Sequence, residues 1–151
     1  MNKIWYEWKE MRRDVNVLCR DITIAKFDPD CIVGLSRGGL TPGVMMSHWL
    51  NKPFKPVKNS LRDFPEWEEW LPRKSDKSVL IVDDICDSGE SFEKIQNYLS
   101  VRANGCDIRY AVLWWNNECD FEPHYYVQEC AKDTEQIWIQ FPWESWWNAP
   151  V

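Results

Sequence analysis

The sequence predicts an α/β protein: an open, mainly parallel twisted sheet with helices on both faces. Short apolar runs alternate with segments of helical period. One run, Val79–Val82, is continuous and rich in β-branched residues, as in a parallel strand buried on both faces. Two of the runs open into Gly- and Ser-containing turns that lead into helices. At 151 residues, with 44% hydrophobic and 28% charged residues, the chain has the length and composition of a single domain spanning residues 1–151, unlike a disordered chain.

Trp8, Met11, Val15 and Leu18 recur at helical spacing and predict an amphipathic helix over about residues 7–20. Asp28-Pro29-Asp30 then interrupts the chain. Cys31–Leu35 reads as a strand entering the turn Ser36-Arg37-Gly38-Gly39. Thr41 as cap and Pro42 at the first helical position predict a helix that carries Val44, Met45, His48, Trp49 and Leu50. Residues 60–77 hold two prolines, many charges and no period, and read as a long surface connection and candidate lid. Val79–Val82 ends in Asp83-Asp84, and the loop Asp87–Ser91 leads into a helix with Phe92, Ile95, Leu99 and Val101 inward, ending near Gly105. A strand from Ile108 to Leu113 or Trp115, a short strand at Tyr125–Val127 and an aromatic tail from Ile137 to Trp147 complete the reading. His48 reads as packing, His124 as a turn residue, and Arg12-Arg13 as a solvated pair.

Composition excludes several classes. Eighteen Lys and Arg against 24 Asp and Glu leave a net charge of −6, so no basic face is available by default for a nucleic-acid backbone. A small anionic ligand therefore needs a local positive site. The six cysteines are scattered without a CxxC and the chain has two histidines, which argues against zinc and for reduced thiols in a cytoplasmic protein. The first ten residues mix charge and aromatics, unlike a secretory signal, and apolar stretches such as Tyr110–Trp115 are far short of the roughly 20 residues that cross a bilayer. No membrane partner is expected. Eleven tryptophans in one chain are unusual, and their flat faces suit stacking as well as packing.

Ligands of open parallel sheets sit outside the carboxyl ends of the strands, where loops meet helix N-termini. Ser88, Gly89, Glu90 and Ser91 precede a helix; the glycine lets backbone approach a ligand, and the amides and two hydroxyls suit a phosphate. Asp83 and Asp84 are acceptor groups suited to ribose hydroxyls or a divalent cation. Ser36, Arg37 and Gly38 supply a guanidinium fork and amides for a second anionic group. A phosphate cradle beside a carboxylate pair describes a sugar-phosphate site.

These residues resemble a known family. Val79-Leu-Ile-Val-Asp-Asp-Ile-Cys-Asp-Ser-Gly-Glu-Ser91 resembles the phosphoribosyl diphosphate motif of type I phosphoribosyltransferases, and Gly34-Leu-Ser-Arg-Gly-Gly-Leu40 resembles their pyrophosphate loop. Trp138-Ile-Gln-Phe-Pro-Trp-Glu144 is similar to the last strand of the bacterial xanthine-guanine and archaeal hypoxanthine-guanine enzymes. The resemblance runs from about Trp5 to Glu144 and implies a core over about residues 20–115 and a small aromatic hood over about 116–147.

It also implies an activity: transfer of the 5-phosphoribosyl group from phosphoribosyl diphosphate to a 6-oxopurine such as guanine, xanthine or hypoxanthine in purine salvage, with Mg²⁺. By resemblance, Asp83 and Asp84 hold the ribose hydroxyls, and Asp84 and Glu144 face Mg²⁺ or its waters. Asp87 is the general base or proton partner at purine N7. Ser88–Ser91 cradle the 5-phosphate, and Ser36, Arg37 and Gly38 bind pyrophosphate. Trp138 stacks on the base, whose edge the Ile139 backbone reads. Asn116 stands where the purine enzymes carry a Lys that binds the 6-oxo group, and Ser60-Leu61 where the family carries Ser-Tyr. A dimer or tetramer of identical chains is expected. Three alternatives stay open: a phosphoribosyl diphosphate-binding regulator without turnover, a transferase for a different base, and, less favoured, a phosphoacceptor receiver domain.

Overall fold

The computed structural model describes residues 1–58 and 71–150. The strands are β1 (Asn2–Trp5), β2 (Cys31–Ser36), β3 (Phe54–Lys58), β4 (Ser78–Cys86), β5 (Asp107–Asn116), β6 (Gln128–Cys130) and β7 (Ile137–Gln140). The helices are α1 (Trp8–Ile24), α2 (Leu40–Leu50), α3 (Glu90–Arg102) and the single turn α4 (Lys132–Glu135).

Five strands form one sheet in the order β3-β2-β4-β5-β6, every pair parallel. After β2 the chain steps outward to β3 and then returns past β2 to β4, so the direction of winding reverses between β2 and β4. Reversal of this kind opens a crevice at the carboxyl ends of the two strands. β1 and β7 form a separate two-stranded parallel sheet, pairing Lys3 with Trp138 and Ile4 with Ile139.

Side chains alternate across the main sheet, as strand geometry requires. Leu80 and Val82 of β4, with Ala111 and Leu113 of β5, face α1 and α2 in a core that also holds Leu18, Ile22 and Met46. Val79, Ile81, Tyr110 and Val112 face the other way and pack on Phe92, Ile95 and Leu99 of α3. Helices therefore cover both faces, as the alternating pattern predicts.

Several boundaries differ from the sequence reading. α1 runs a turn beyond residue 20, and Trp8, expected inward, is half exposed because α1 begins there, outside the sheet's cover. Its start is held by Glu10, whose carboxylate accepts the Glu7 amide at 3.1 Å. α2 begins at Leu40 with Gly39 at the cap and no side-chain capping bond, so Thr41 lies inside the helix instead of capping it. Val44 and Trp49 point outward, and Trp49 donates its indole N–H to Asn16 at 3.0 Å. Val101 is exposed, in the last turn of α3, rather than inward. The strand expected at Tyr125–Val127 forms at Gln128–Cys130, Tyr125 making only an isolated bridge to Ala111. Of the candidate lid, residues 60–70, with Ser60, Leu61, Trp67 and Trp70, lie outside the described residues. Of its remaining part, residues 71–77, Leu71 is buried, and Arg102 donates to the Pro72 carbonyl at 3.1 Å.

One feature of the core is invisible to pattern. Asp14 of α1 is buried, accepting from Tyr6 at 2.5 Å and Gln128 at 3.0 Å and pairing with Arg13 at 3.1 Å. Burial, followed by the Asp14 contact, raises the Tyr6 hydroxyl above its ordinary range. The network ties the segment after β1 to α1 and β6. All six cysteines are free thiols, and among the described residues no helix is long and apolar enough to cross a membrane.

Candidate active site

Two cavities adjoin at the carboxyl edge of β4. The smaller, about 90 Å³, is lined by Asp83, Cys86, Asp87, Ser88, Gly89 and Ser91, with Ile85 and Phe92. The larger, about 140 Å³, is lined by Asp84, Asp87, Lys132, Trp138, Ile139 and Glu144, with Ile85 and Phe141. Ile85 and Asp87 belong to both, so Asp87 stands where the two spaces meet.

The loop into α3 forms the smaller space. Gly89 takes φ 79°, the left-handed region in which a side chain is strained, and a Cβ there would lie 2.7 Å from Phe121. Ser88 Oγ accepts the Glu90 amide at 3.2 Å. The Glu90 side chain turns away to pair with Lys94 at 2.8 Å, in solvent. Ser88, Gly89 and Ser91 thus line the cavity at the positive end of a 13-residue helix.

Asp83 and Asp84 lie within β4 rather than at its end. Asp83 accepts the Asp84 amide at 2.9 Å, and Asp84 accepts the Ile85 amide at 2.7 Å. Burial, with the neighbouring Asp84 charge second, holds the Asp83 carboxyl well above the usual carboxylate range. Burial also pushes Asp84 up to about 6, and the charge of Glu144 contributes in the same direction. Because both folded values lie above the unfolded one, the folded chain binds more protons, and the stability contributed by the pair falls as pH rises from about 4 through 6 and beyond. Asp83→Asn is expected to stabilise the ligand-free protein by on the order of 1 kcal/mol at pH 8 and by much less at pH 4. Thermal melts of both proteins at the two pH values check this; equal gains would show that the charge of the pair does not matter.

The turn after β2 reaches the same edge. A Cβ on Gly38 would lie 2.1 Å from the Asp84 carboxylate, so the turn rests directly on that side chain. Ser36 ends β2, the Ser36–Arg37 peptide is cis, and Arg37 is exposed. Ser36 and Arg37 line neither cavity.

Trp138, 45% exposed on β7, offers a ring face to the larger cavity, and Ile139 beside it is buried. One Glu144 oxygen accepts the Phe141 amide at 2.9 Å. Trp143 stacks on Phe141 with centroids 5.2 Å apart. Trp114 and Trp115, next to Asn116 in sequence, do not reach the cavity: Trp114 packs edge-on against Tyr6, and Trp115 packs on Tyr126.

Asn116 departs from its expected place. It is 3% exposed and lines neither cavity. Its Nδ2 donates to the Asp87 carbonyl at 3.0 Å, and its Oδ1 accepts the amides of Lys132 at 3.0 Å and Glu118 at 3.3 Å. The residue that sequence reasoning missed is Lys132, whose ammonium pairs with the Asp87 carboxylate and lies 4.5 Å from the Trp138 ring centroid. Only its position a few residues before Trp138 could have drawn attention to it.

An open parallel sheet with its candidate site at the carboxyl ends of adjacent central strands defines an α/β protein of the doubly wound kind. A profile of the phosphoribosyl transferase domain family matches residues 3–148, and the chain belongs to that family. It is 26% identical to the xanthine-guanine phosphoribosyltransferase of Chromohalobacter salexigens, over 91% of this chain and 81% of that one. It is 29% identical to the enzyme of the same name from Cereibacter sphaeroides, over 91% and 84% of the two chains. Among solved structures, a purine phosphoribosyltransferase from Pyrococcus horikoshii superposes with a TM-score of 0.75 at 26% identity, covering 100% of this chain and 98% of that one.

Proposed function

We propose that the chain transfers the 5-phosphoribosyl group of phosphoribosyl diphosphate to a 6-oxopurine, giving a nucleoside monophosphate and pyrophosphate. One observation carries the reading: a phosphate-type cavity and an aromatic-faced cavity adjoin, and Asp87 lies on both. In this reading the amides and hydroxyls of Ser88–Ser91 hold the 5-phosphate, Asp83 and Asp84 take the ribose hydroxyls, and the base stacks on Trp138 with its edge on the Ile139 backbone. Ser36, Arg37 and Gly38 receive the pyrophosphate.

The donors present suit a hard cation. Asp84 and Glu144 are carboxylates on one cavity wall, close enough for the charge of Glu144 to raise Asp84. Two such carboxylates fit Mg²⁺, an ion usually held by one or two carboxylates with waters and substrate oxygens. When bound, Mg²⁺ would neutralise charge on the diphosphate. The remaining tasks belong to the chain. Trp138 fixes the plane of the base, placing its nitrogen in line with the anomeric carbon. Asp87 holds or takes the proton at N7 as N9 of the same ring attacks the anomeric carbon and pyrophosphate departs. Arg37 stabilises the departing anion, and the β1–β7 hood limits water at an oxocarbenium-like transition state.

The six free thiols support a cytoplasmic protein, and the net charge of −6 one that does not bind nucleic acid. The exposed Trp146 and Trp147 support a homo-oligomer, dimer or tetramer. The test of function is pyrophosphate release from phosphoribosyl diphosphate with Mg²⁺ across guanine, xanthine, hypoxanthine, adenine and pyrimidine bases. Release with at least one 6-oxopurine is expected. Silence with every base, with phosphoribosyl diphosphate still bound, would replace the enzyme by a regulator; turnover only with another base would replace the substrate.

A further inference from the structure

Lys132 joins two groups that the proposed reaction uses separately. Its ammonium pairs with Asp87 and lies over the ring of Trp138, and its side chain is 11% exposed, enclosed by the larger cavity. Its backbone is fixed from behind: Asn116 Oδ1 accepts the Lys132 amide while Asn116 Nδ2 donates to the Asp87 carbonyl. One buried amide therefore sets the spacing between the loop that carries Asp87 and the turn that carries Lys132. Buried, with Nδ2 and Oδ1 both bonded inside the protein, Asn116 lies off the cavity wall and is not placed to read a ligand there.

We propose that Lys132 is the specificity-determining residue for the base, and that Asn116 is a positioning residue that holds Lys132 and Asp87 in register. The inference rests on reading the larger cavity as the base site of a phosphoribosyltransferase. In the free protein the ammonium covers the Trp138 face by a cation–π contact. A base stacked on that face displaces the ammonium to the rim of the ring, a movement that the flexible lysine stem permits. There it needs an acceptor, because an ammonium offers three donors and accepts nothing. The oxygen at carbon 6 of an oxopurine meets that need. A 6-amino group is also a donor: it offers the ammonium no acceptor and sets two donors against each other beside Asp87, the kind of mismatch by which enzymes reject an analogue. Lys132 thus selects 6-oxopurines over 6-aminopurines from α4, whereas the family's lysine would stand at residue 116.

The test compares the wild-type protein with Lys132→Met and Lys132→Arg by calorimetric binding of GMP, IMP and AMP, with ribose 5-phosphate as a control that carries no base. Turnover of guanine, hypoxanthine and adenine is measured on the same proteins. The wild type is expected to prefer GMP and IMP to AMP by at least about 100-fold. Lys132→Met is expected to bring that ratio close to one with ribose 5-phosphate affinity unchanged, and Lys132→Arg to keep most of the preference. An unchanged ratio in Lys132→Met overturns the proposal. Should Lys132→Met lose ribose 5-phosphate binding as well, the closer-shaped Lys132→Gln replaces it under the same criterion. A wild type that binds the monophosphates selectively but turns over no base removes the enzymatic reading alone, because the ratio still tests Lys132. A wild type that binds none of the three removes both.

Discussion

Asp87→Asn is expected to lower kcat by about 100-fold or more while leaving the KM for phosphoribosyl diphosphate within about threefold. General acid–base groups contribute on that scale, and Asp87 is the carboxylate common to both cavities. Asparagine keeps the shape of the side chain and the backbone carbonyl that accepts from Asn116, so the loop holds its place. It removes the basic oxygen and leaves the Lys132 ammonium without its charged partner. The Asp87 side chain is 46% exposed, so water can replace much of that ion pair and only a small loss of stability is expected. Steady-state kinetics with both substrates varied, alongside a thermal melt, decides the matter: a matched loss of kcat and of phosphoribosyl diphosphate affinity would place Asp87 on the sugar phosphate instead of on the proton.

Alanine at Gly39 and alanine at Gly38 are expected to fail in different ways. A Cβ on Gly39 would lie 2.3 Å from the Val82 carbonyl, 2.7 Å from the Leu35 amide and 2.8 Å from the Leu35 carbonyl, all of them backbone atoms of the two central strands. None can yield without parting β2 from β4, so Gly39→Ala should cost about 3 kcal/mol and lower Tm by roughly 10 °C. At Gly38 the obstacle is the end of the Asp84 side chain, which can rotate away. Gly38→Ala should therefore leave Tm within a few degrees of the wild type and reduce kcat/KM by about 100-fold, because Asp84 is displaced from the cavity wall. Calorimetric melts and kinetics on the two variants separate these outcomes. Equal destabilisation by both would mean that Asp84 is held rigidly, and equal activity in Gly38→Ala would remove Asp84 from the reaction.

The parts of the fold legible in the sequence were those where local pattern and burial agree. Val79–Val82 is apolar at every position because both faces of β4 are covered, by α1 and α2 on one side and α3 on the other. The turns after β2 and β4 announced themselves through glycines beside charged and hydroxyl residues. β1 and β3 did not. Asn2–Trp5 mixes charge and aromatics, and Phe54–Lys58 carries a proline that its place at the edge of the sheet accommodates. α4 is a single turn, too short to show a period. Asp14 reads as one more charge on a polar helix face until Tyr6 and Gln128 close over it.

The same division runs through the candidate site. Groups within a few residues of one another, Asp83 to Ser91 and Trp138 to Glu144, belong to continuous segments whose chemistry is carried by spacing, and a resemblance in spacing suffices to find them. The link between Asp87 and Lys132 spans 45 residues of chain, and that between Asn116 and Lys132 spans 16. No periodicity reports such distances, since they depend on how β5 and α4 come to rest beside the β4 loop. Chain order assigned base reading to Asn116 by analogy of position. Folding turned that amide inward and brought an ammonium from α4 onto the Trp138 ring, because hydrogen bonds and ion pairs are settled by proximity in space and not by order along the chain.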